Sequence, residues 1–190
     1  MPKRTKDTIT LGSGKLYMTE YTTTVPTKDT LFAEANRVGY IKSGATLEYN
    51  ADSLEEKDDL GYVTKIITTQ EEATLKAGLL TWNGDTLSKL IDRCKVTEAD
   101  GFRTILIGGK GNEQGKYWAV GFHHEDKKDG DVWIIIVGRN TSPLSLAFAN
   151  TDGTLIEPEF KAMPQDSDGT LIKLIEEIGT TATTNPSNPS

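Results

Sequence analysis

The stretch GATLEYNADSLEEKDDLGYVTKIITTQEEATLKAGLLTWNGDTLSKLIDRCK, residues 44–95, decides the fold. It contains, in order, a strand, an acidic loop, a very long strand, a Trp-Asn-Gly sequence and an amphipathic helix. Residues 46–49 alternate polar and apolar side chains, as a half-buried strand does. Residues 63–82 resume the alternation for about twenty residues, whereas most strands have about five or six. Because a small domain cannot cover so long a hairpin, we expect part of it to project and pair with another molecule.

The predicted loop of this hairpin, residues 50–62, is rich in carboxylates. Its candidate docking residues are Asp52, Glu55, Glu56, Lys57, Asp58 and Asp59. A solvated turn is the alternative interpretation of such a charge run. The length of the hairpin favours a docking loop over that alternative.

Composition limits the class of protein. The 190 residues suit one domain, predicted over 1–179 with an N-terminal arm at 1–9, and the 36% apolar content is enough for a core. Residues 180–190 (TTATTNPSNPS) are expected to be disordered or extended. The 26 threonines favour strands. A net charge of −7 is unfavourable for general binding to duplex phosphate, and no apolar stretch is long enough to suggest a membrane partner.

Turn signals recur every eight to fifteen residues outside this hairpin, as in a sandwich or barrel. Further strands are predicted over residues 14–22, 38–41, 102–107, 116–123, 131–139, 144–149, 154–161 and 170–177, and Ser43-Gly44 is predicted to form a bulge. The predicted fold class is therefore mainly β: an antiparallel β-sandwich or small barrel with one flanking α-helix and a long projecting hairpin loop.

The one predicted helix spans Asp85 to Lys95. Leu87, Leu90, Ile91 and Cys94 fall at i, i+3, i+4 and i+7, so they share one face, and Asn83 or Asp85 can cap the start. Some strand segments are instead apolar on both faces: residues 132–137, Leu79-Leu80 and Ile66-Ile67. The helix can cover part of one sheet, and a neighbouring subunit is the expected cover for the rest.

Catalytic and ligand-binding motifs are weak. His123-His124-Glu125-Asp126 places two possible metal ligands on each face of a strand, fewer than zinc needs. Gly12-Ser-Gly-Lys15 and Gly111–Lys116 lack the spacing of a phosphate loop, and the Asp-Gly sequences lack the frame of a calcium loop. Cys94 is expected to pack in the core. We therefore predict no enzyme activity, no metal site and no cofactor.

Several segments, taken in order, resemble phage tail tube proteins. They are Gly44–Tyr49, the acidic loop through Lys57–Gly61, Glu72–Gly78, Thr81–Gly84 before the helix, His123–Asp126 with Gly130-Asp131, Ser145–Phe148 and Pro158–Ala162. The resemblance covers about residues 10 to 178 and lies in the order of the segments more than in any single motif.

This resemblance implies a structural role. A tail tube subunit is a β-sandwich or small barrel that forms rings of six, and the rings stack into a tube through which DNA leaves the virion. The implied partners are other copies of the chain and other tail proteins, and a long hairpin loop reaches the adjacent ring. The implied location is the virion tail, after synthesis in the host cytoplasm. A wall of negative net charge would let DNA slide without specific binding.

The candidate lumen-facing residues are Glu48, Glu72 and Lys76. Alternation along residues 71–79 puts the apolar side chains on one face and Glu72, Thr74 and Lys76 on the other, and Glu48 lies on the polar face of the partner strand. We expect the apolar face to pack inside the subunit and Glu48 and Glu72 to give the lumen its negative sign.

Two alternatives remain open. The chain could be the tube protein of a phage-tail-like bacteriocin or secretion machine, whose subunit would look the same. It could also be a monomeric β-sandwich binding module. Such a module would present an aromatic platform, whereas Trp82, Trp118 and Trp133 all lie in apolar strand contexts.

Overall fold

The computed structural model describes residues 4, 8, 10, 12–60, 62, 64–148 and 153–179. The strands within these ranges are β1 (Lys15–Tyr21), β2 (Arg37–Lys57), β3 (Thr64–Leu79), β4 (Cys94–Ala99), β5 (Phe102–Ile107), β6 (Tyr117–His124), β7 (Val132–Asn140), β8 (Glu159–Met163) and β9 (Lys173–Glu176). The helices are α1 (Lys28–Leu31) and α2 (Gly84–Leu90). Most of the predicted N-terminal arm, and all of the predicted tail at 180–190, lie outside the described residues.

Six strands close into a ring, and every pairing is antiparallel. β1 pairs with both β2 and β6, and β2 pairs with β3. β3 pairs with β8, β8 with β7, and β7 with β6, which completes the ring. β9 pairs with β7 beside β8. The predicted mainly antiparallel β fold is confirmed, and its closed pairings are those of a small barrel.

The main hydrophobic core fills the ring. Leu16 of β1, Leu75 of β3 and Phe160 of β8 are fully buried in it. The four residues of β3 predicted to face inward are all buried: Ala73, Leu75, Ala77 and Leu79. The alternation of β3 therefore sets which face of the hairpin meets the core.

Helix α2 adds to this core from one end of the barrel. Asn83 caps the helix, as predicted, by accepting a 3.0 Å hydrogen bond from the Thr86 backbone N–H. Leu87 and Leu90 are buried in the main cluster, and Ile91 is half-buried against it.

The prediction that this helix continues to Lys95 is wrong. It ends at Leu90, and Cys94 begins β4. The side-chain amide of Gln114 donates hydrogen bonds to the carbonyls of Ser88, Ile91 and Cys94, at 2.9, 3.3 and 2.9 Å. These bonds satisfy carbonyls at and just beyond the end of the helix. Because Gln114 is distant in the sequence, local periodicity could not reveal this stop.

The second face of β7 is covered by the chain itself, which corrects the expectation of a neighbouring subunit there. Ile135 is fully buried in a second cluster with Tyr17 and Leu31. Leu31 belongs to α1, which the sequence did not predict. The uncharged run at 132–137 therefore reflects burial on both faces within one subunit.

The β2–β3 hairpin differs from the predicted strand, loop and strand. β2 continues to Lys57 and β3 begins at Thr64, so residues 50–57 of the predicted loop are strand. The predicted bulge is confirmed: the register shifts between Ile41 and Ala45, where Ser43 and Gly44 have φ of 71° and 77°. The acidic composition of residues 50–57 predicts a loop, but pairing with β3 outweighs the low strand propensity of Asp and Glu.

The strand predicted over 144–149 is also wrong, since residues 144–148 form no strand.

Two hairpins extend from opposite ends of the barrel. β2 enters the barrel at Arg37 and runs out to Lys57, and β3 returns from Thr64 to Leu79, at the end where β2 began. The segment 80–116 contains α2, β4 and β5 and connects this end of β3 to Tyr117. Tyr117 pairs with Tyr21, the last residue of β1, which lies at the end of the barrel where β2 begins. The β4–β5 hairpin is therefore attached at the end opposite to the β2–β3 turn.

Truncating the core contact of α2 tests its structural role. Leu90→Ala should lower the free energy of unfolding by about 2–5 kcal/mol, because it leaves a cavity in the main cluster. Leu54→Ala, at a side chain that is 47% exposed, is the matched control and should cost far less. Denaturant melts measure both, and equal losses would show that α2 is not a core element.

Candidate functional site

Residues 51–71, which we call the arm, leave the barrel entirely. β3 pairs with β8 only from Thr74 to Lys76, so the β2–β3 pairs beyond that point have no third described strand beside them. Every described residue of the arm is exposed. At about 3.3 Å per residue, its paired strands reach roughly 20 Å from the barrel.

The arm is apolar as well as acidic. Ile66 and Ile67 point to opposite faces and are 65% and 45% exposed, and Tyr62, between the two strands, is 85% exposed. Leu54 pairs with Ile67 on one face, and Glu55 pairs with Ile66 on the other. An isolated two-stranded hairpin is marginally stable in water. Exposed apolar side chains on both faces therefore make the arm a candidate docking surface.

The predicted docking residues all lie on this arm. Asp52, Glu55, Glu56 and Lys57 are on β2, and Asp58 and Asp59 are in the turn. Within residues 51–71, six carboxylates against two lysines give a net charge of −4. Lys57 offsets part of this charge through a 2.9 Å ion pair with Glu55.

The predicted lumen residues come together on the outer polar face of β2, β3 and β8. Lys76 Nζ lies 3.1 Å from Glu48 Oε2 and 3.5 Å from Glu159 Oε2. Glu72 Oε1 instead accepts a 2.8 Å bond from Lys161 Nζ. We call these five side chains the polar face. The sequence predicted its members on β2 and β3 but missed Glu159 and Lys161, which only the β3–β8 pairing brings to them.

Ion pairing shifts the pKa values of Glu72 and Lys76. The hydrogen bond and the charge of Lys161 lower the pKa of the Glu72 carboxyl, and a hydrogen bond from Gln70 adds to this effect. The hydrogen bond to Glu48 raises the pKa of Lys76, with the nearby carboxylate charges adding to it. At neutral pH three carboxylates stand against two ammonium groups, so the polar face carries a net charge of −1. Its negative charge is smaller than the two predicted glutamates alone would give.

The two histidines occupy separate environments. His123 Nε2 lies 2.9 Å from Asp131 Oδ2, and its ring stacks on Trp133 at 4.9 Å between centroids. His124 is buried, with Nδ1 2.8 Å from the Ser13 carbonyl oxygen. Within the described residues, no group of three or more His, Cys, Asp or Glu is placed to hold a metal.

The outer face of the β4–β5 hairpin is a surface that sequence reasoning missed. Phe102 is 76% exposed and Leu106 is 46% exposed. Because the predicted helix continues to Lys95, the sequence analysis does not predict that β4 begins at Cys94. An available signal was the Asp100-Gly101 pair between two short alternating segments, which is typical of a tight hairpin turn. Both residues have positive φ, 53° and 79°.

Comparison with known proteins assigns no family. No family model matches the sequence, and no curated protein matches it either. Within the described ranges, the helices are too short and polar to span a membrane. Function is therefore inferred from exposure, charge and topology.

The Glu72–Lys161 pair gives a direct test of the polar face. Lys161→Met should raise the pKa of Glu72 toward its ordinary value, because it removes the principal hydrogen bond and charge, and NMR titration of the carboxyl carbon measures the change. Because the folded-state pKa is the lower one, the pair stabilises the fold fully above the unfolded-state value of about 4.3 and loses this effect as pH falls through the folded-state value.

Lys127→Met, at an exposed turn residue, removes the same charge elsewhere and should leave the Glu72 pKa unchanged. An unshifted Glu72 pKa in Lys161→Met would contradict the pairing.

Proposed function

We propose that the chain is a structural subunit that assembles with copies of itself into rings, and that these rings stack into the tail tube of a phage. The observation that carries the proposal is the arm, whose exposed apolar side chains lie on both faces, beyond the reach of the barrel. The ordered resemblance to tail tube proteins in residues 10–178 supports the same reading.

Unpaired strand edges also favour self-assembly. β2 pairs with β1 only from Arg37 to Tyr40, so its outer edge from Ala45 to Lys57 has no strand beside it in the described chain. β3 likewise has no second partner from Thr64 to Ala73. An exposed edge offers backbone N–H and C=O groups to another chain, and proteins that stay monomeric usually block such edges. Here two long edges have no described strand beside them and adjoin exposed apolar side chains, although charged residues and the register shift at Asp52-Ser53 interrupt them.

The net charge of the polar face is compatible with a channel that DNA passes through. We place the polar face toward the channel, where its net charge of −1 per subunit would repeat around each ring. A mildly negative wall lacks the lysine and arginine contacts that hold phosphate and so lets DNA pass without specific binding. Assembly would occur in the host cytoplasm, and the product would be part of the virion, in contact with other tail proteins.

The two alternative functions are not equally compatible with the structure. A tube protein of a phage-tail-like bacteriocin or secretion machine would use the same arm, and the features above do not separate it from a phage tube. The tryptophans do not form the exposed platform expected of a monomeric binding module: Trp133 is buried, and Trp82 and Trp118 are half-buried against the core. No specific observation favours the module over assembly.

Shortening the arm tests the proposal. Replacing residues 53–69 by Asn-Gly would join Asp52 to Gln70, which are already cross-strand partners, through a two-residue turn suited to hairpins. The variant should keep the unfolding temperature of the barrel but form no long tubes, as measured by calorimetry and electron microscopy. Thr68→Ser, a minimal change on the same arm, is the control and should assemble normally. Tubes of normal length from the shortened chain would contradict a docking role for the arm.

Charge reversal tests the orientation of the polar face. Glu48→Lys with Glu72→Lys changes its charge from −1 to +3, so assembled tubes should retain duplex DNA, and more strongly at low salt. Asp29→Lys with Glu34→Lys makes the same charge change beside α1 and is the matched control. DNA binding to purified tubes, followed against salt concentration, is the measurement. If both variants behave alike, the polar face does not line the channel.

A further inference from the structure

The outer face of the β4–β5 hairpin is a second unpartnered surface. Strand alternation and pairing place six side chains on it: Lys95, Thr97, Ala99, Phe102, Thr104 and Leu106. All six are exposed. The opposite face is anchored to the rest of the chain, since Cys94 is buried and Ile105 packs against the main hydrophobic core. The hairpin is therefore held by one face and presents the other to a partner.

Two exposed lysines, one on this surface and one beside it, add positive charge, and an exposed carboxylate, Asp100, lies in the turn of the same hairpin. Lys95 is the cross-strand partner of Leu106, and Lys110 follows shortly after β5. Neither lysine makes an ion pair with any residue that the structure describes, and both are exposed. The neighbouring cations are already neutralised, Arg93 by Glu113 at 3.3 Å and Arg103 by Glu98 at 2.6 Å. An acidic, partly apolar segment would complement both the lysines and the exposed Phe102.

We propose that this surface receives the arm of a second copy of the chain in the adjacent ring. The arm has the required chemistry, a net charge of −4 with exposed Ile66, Ile67 and Tyr62. The inference rests on the proposed self-assembly and adds the surface on which the arm docks.

The topology favours this occupant. The arm leaves one end of the barrel, and the β4–β5 hairpin is attached at the other. A contact between two different surfaces at opposite ends repeats head to tail from one copy to the next, which generates a stack. A contact of the hairpin with its own copy would instead close a two-fold dimer and stop growth.

A charge swap tests the contact. Lys95→Glu with Lys110→Glu should abolish tubes longer than a single ring, because the reversed charges face the carboxylates of the arm. Adding Glu55→Lys and Glu56→Lys to the same chain should restore long tubes. Lys127→Glu with Lys128→Glu, in the exposed turn after β6, is the matched control and should assemble as the unmodified chain does. Tube length by electron microscopy and sedimentation is the readout.

Cross-linking locates the contact independently. In a Cys94→Ala background, Leu60→Cys in the turn of the arm and Thr97→Cys on the hairpin should form disulfide-linked ladders of more than two subunits. Replacing Thr97→Cys by Thr24→Cys, at an exposed site near the same end of the barrel, should give no ladder.

The outcomes separate this inference from the proposed function. Normal tubes from the Lys95→Glu, Lys110→Glu chain, together with loss of tubes on shortening the arm, would overturn the receiving surface while leaving the proposed function in place. Disulfide dimers linked through two copies of position 97 would overturn it in favour of a two-fold contact. An unmodified chain that forms neither rings nor tubes would overturn both.

Discussion

The register of the β2–β3 hairpin is the constraint on which the rest of the structure depends. It places Leu47 opposite Leu75 and Glu48 opposite Thr74, so one face enters the core and the other forms the polar face. A slip of one residue would exchange the two faces, bury carboxylates and expose Leu75. The register shifts at the bulge of Ser43-Gly44 and again between Asp52 and Ser53 at the base of the arm, and such bulges bend and twist a strand locally. The same hairpin thus supplies two strands of the barrel and the arm.

In the proposed assembly, that shared hairpin links the folding of the barrel to the position of the arm. Burial of Ala73, Leu75 and Ala77 fixes the base of the arm, so the arm leaves the barrel in a defined direction despite its own exposure. The second hairpin, β4–β5, is fixed in turn by α2, whose Leu87 and Leu90 join the same core. One core therefore orients two exposed surfaces at opposite ends of the subunit. Such a subunit is suited to head-to-tail stacking, which needs a constant rotation and translation between copies.

The sequence predicts what depends on local pattern and misses what depends on distant partners. Alternation correctly gave the inward face of β3 and the bulge, and Asn83 correctly marked the start of α2. The helix end was missed because Gln114 satisfies its carbonyls from about twenty residues away, and α1 was missed because four residues carry almost no periodic signal. Of the polar face, Glu48, Glu72 and Lys76 could be found by alternation. Their partners Glu159 and Lys161 could not, since ring closure through β8 is a property of topology.

Electron microscopy of the purified, unmodified chain tests the central claim most directly. Images over a range of protein concentrations should show rings with an open centre that give way to tubes as concentration rises, because each ring leaves arms and receiving hairpins unpaired at its ends. A three-dimensional reconstruction of the tubes should place each arm between rings. Single barrels that stay monomeric at every concentration, with the arms unpartnered, would contradict the account.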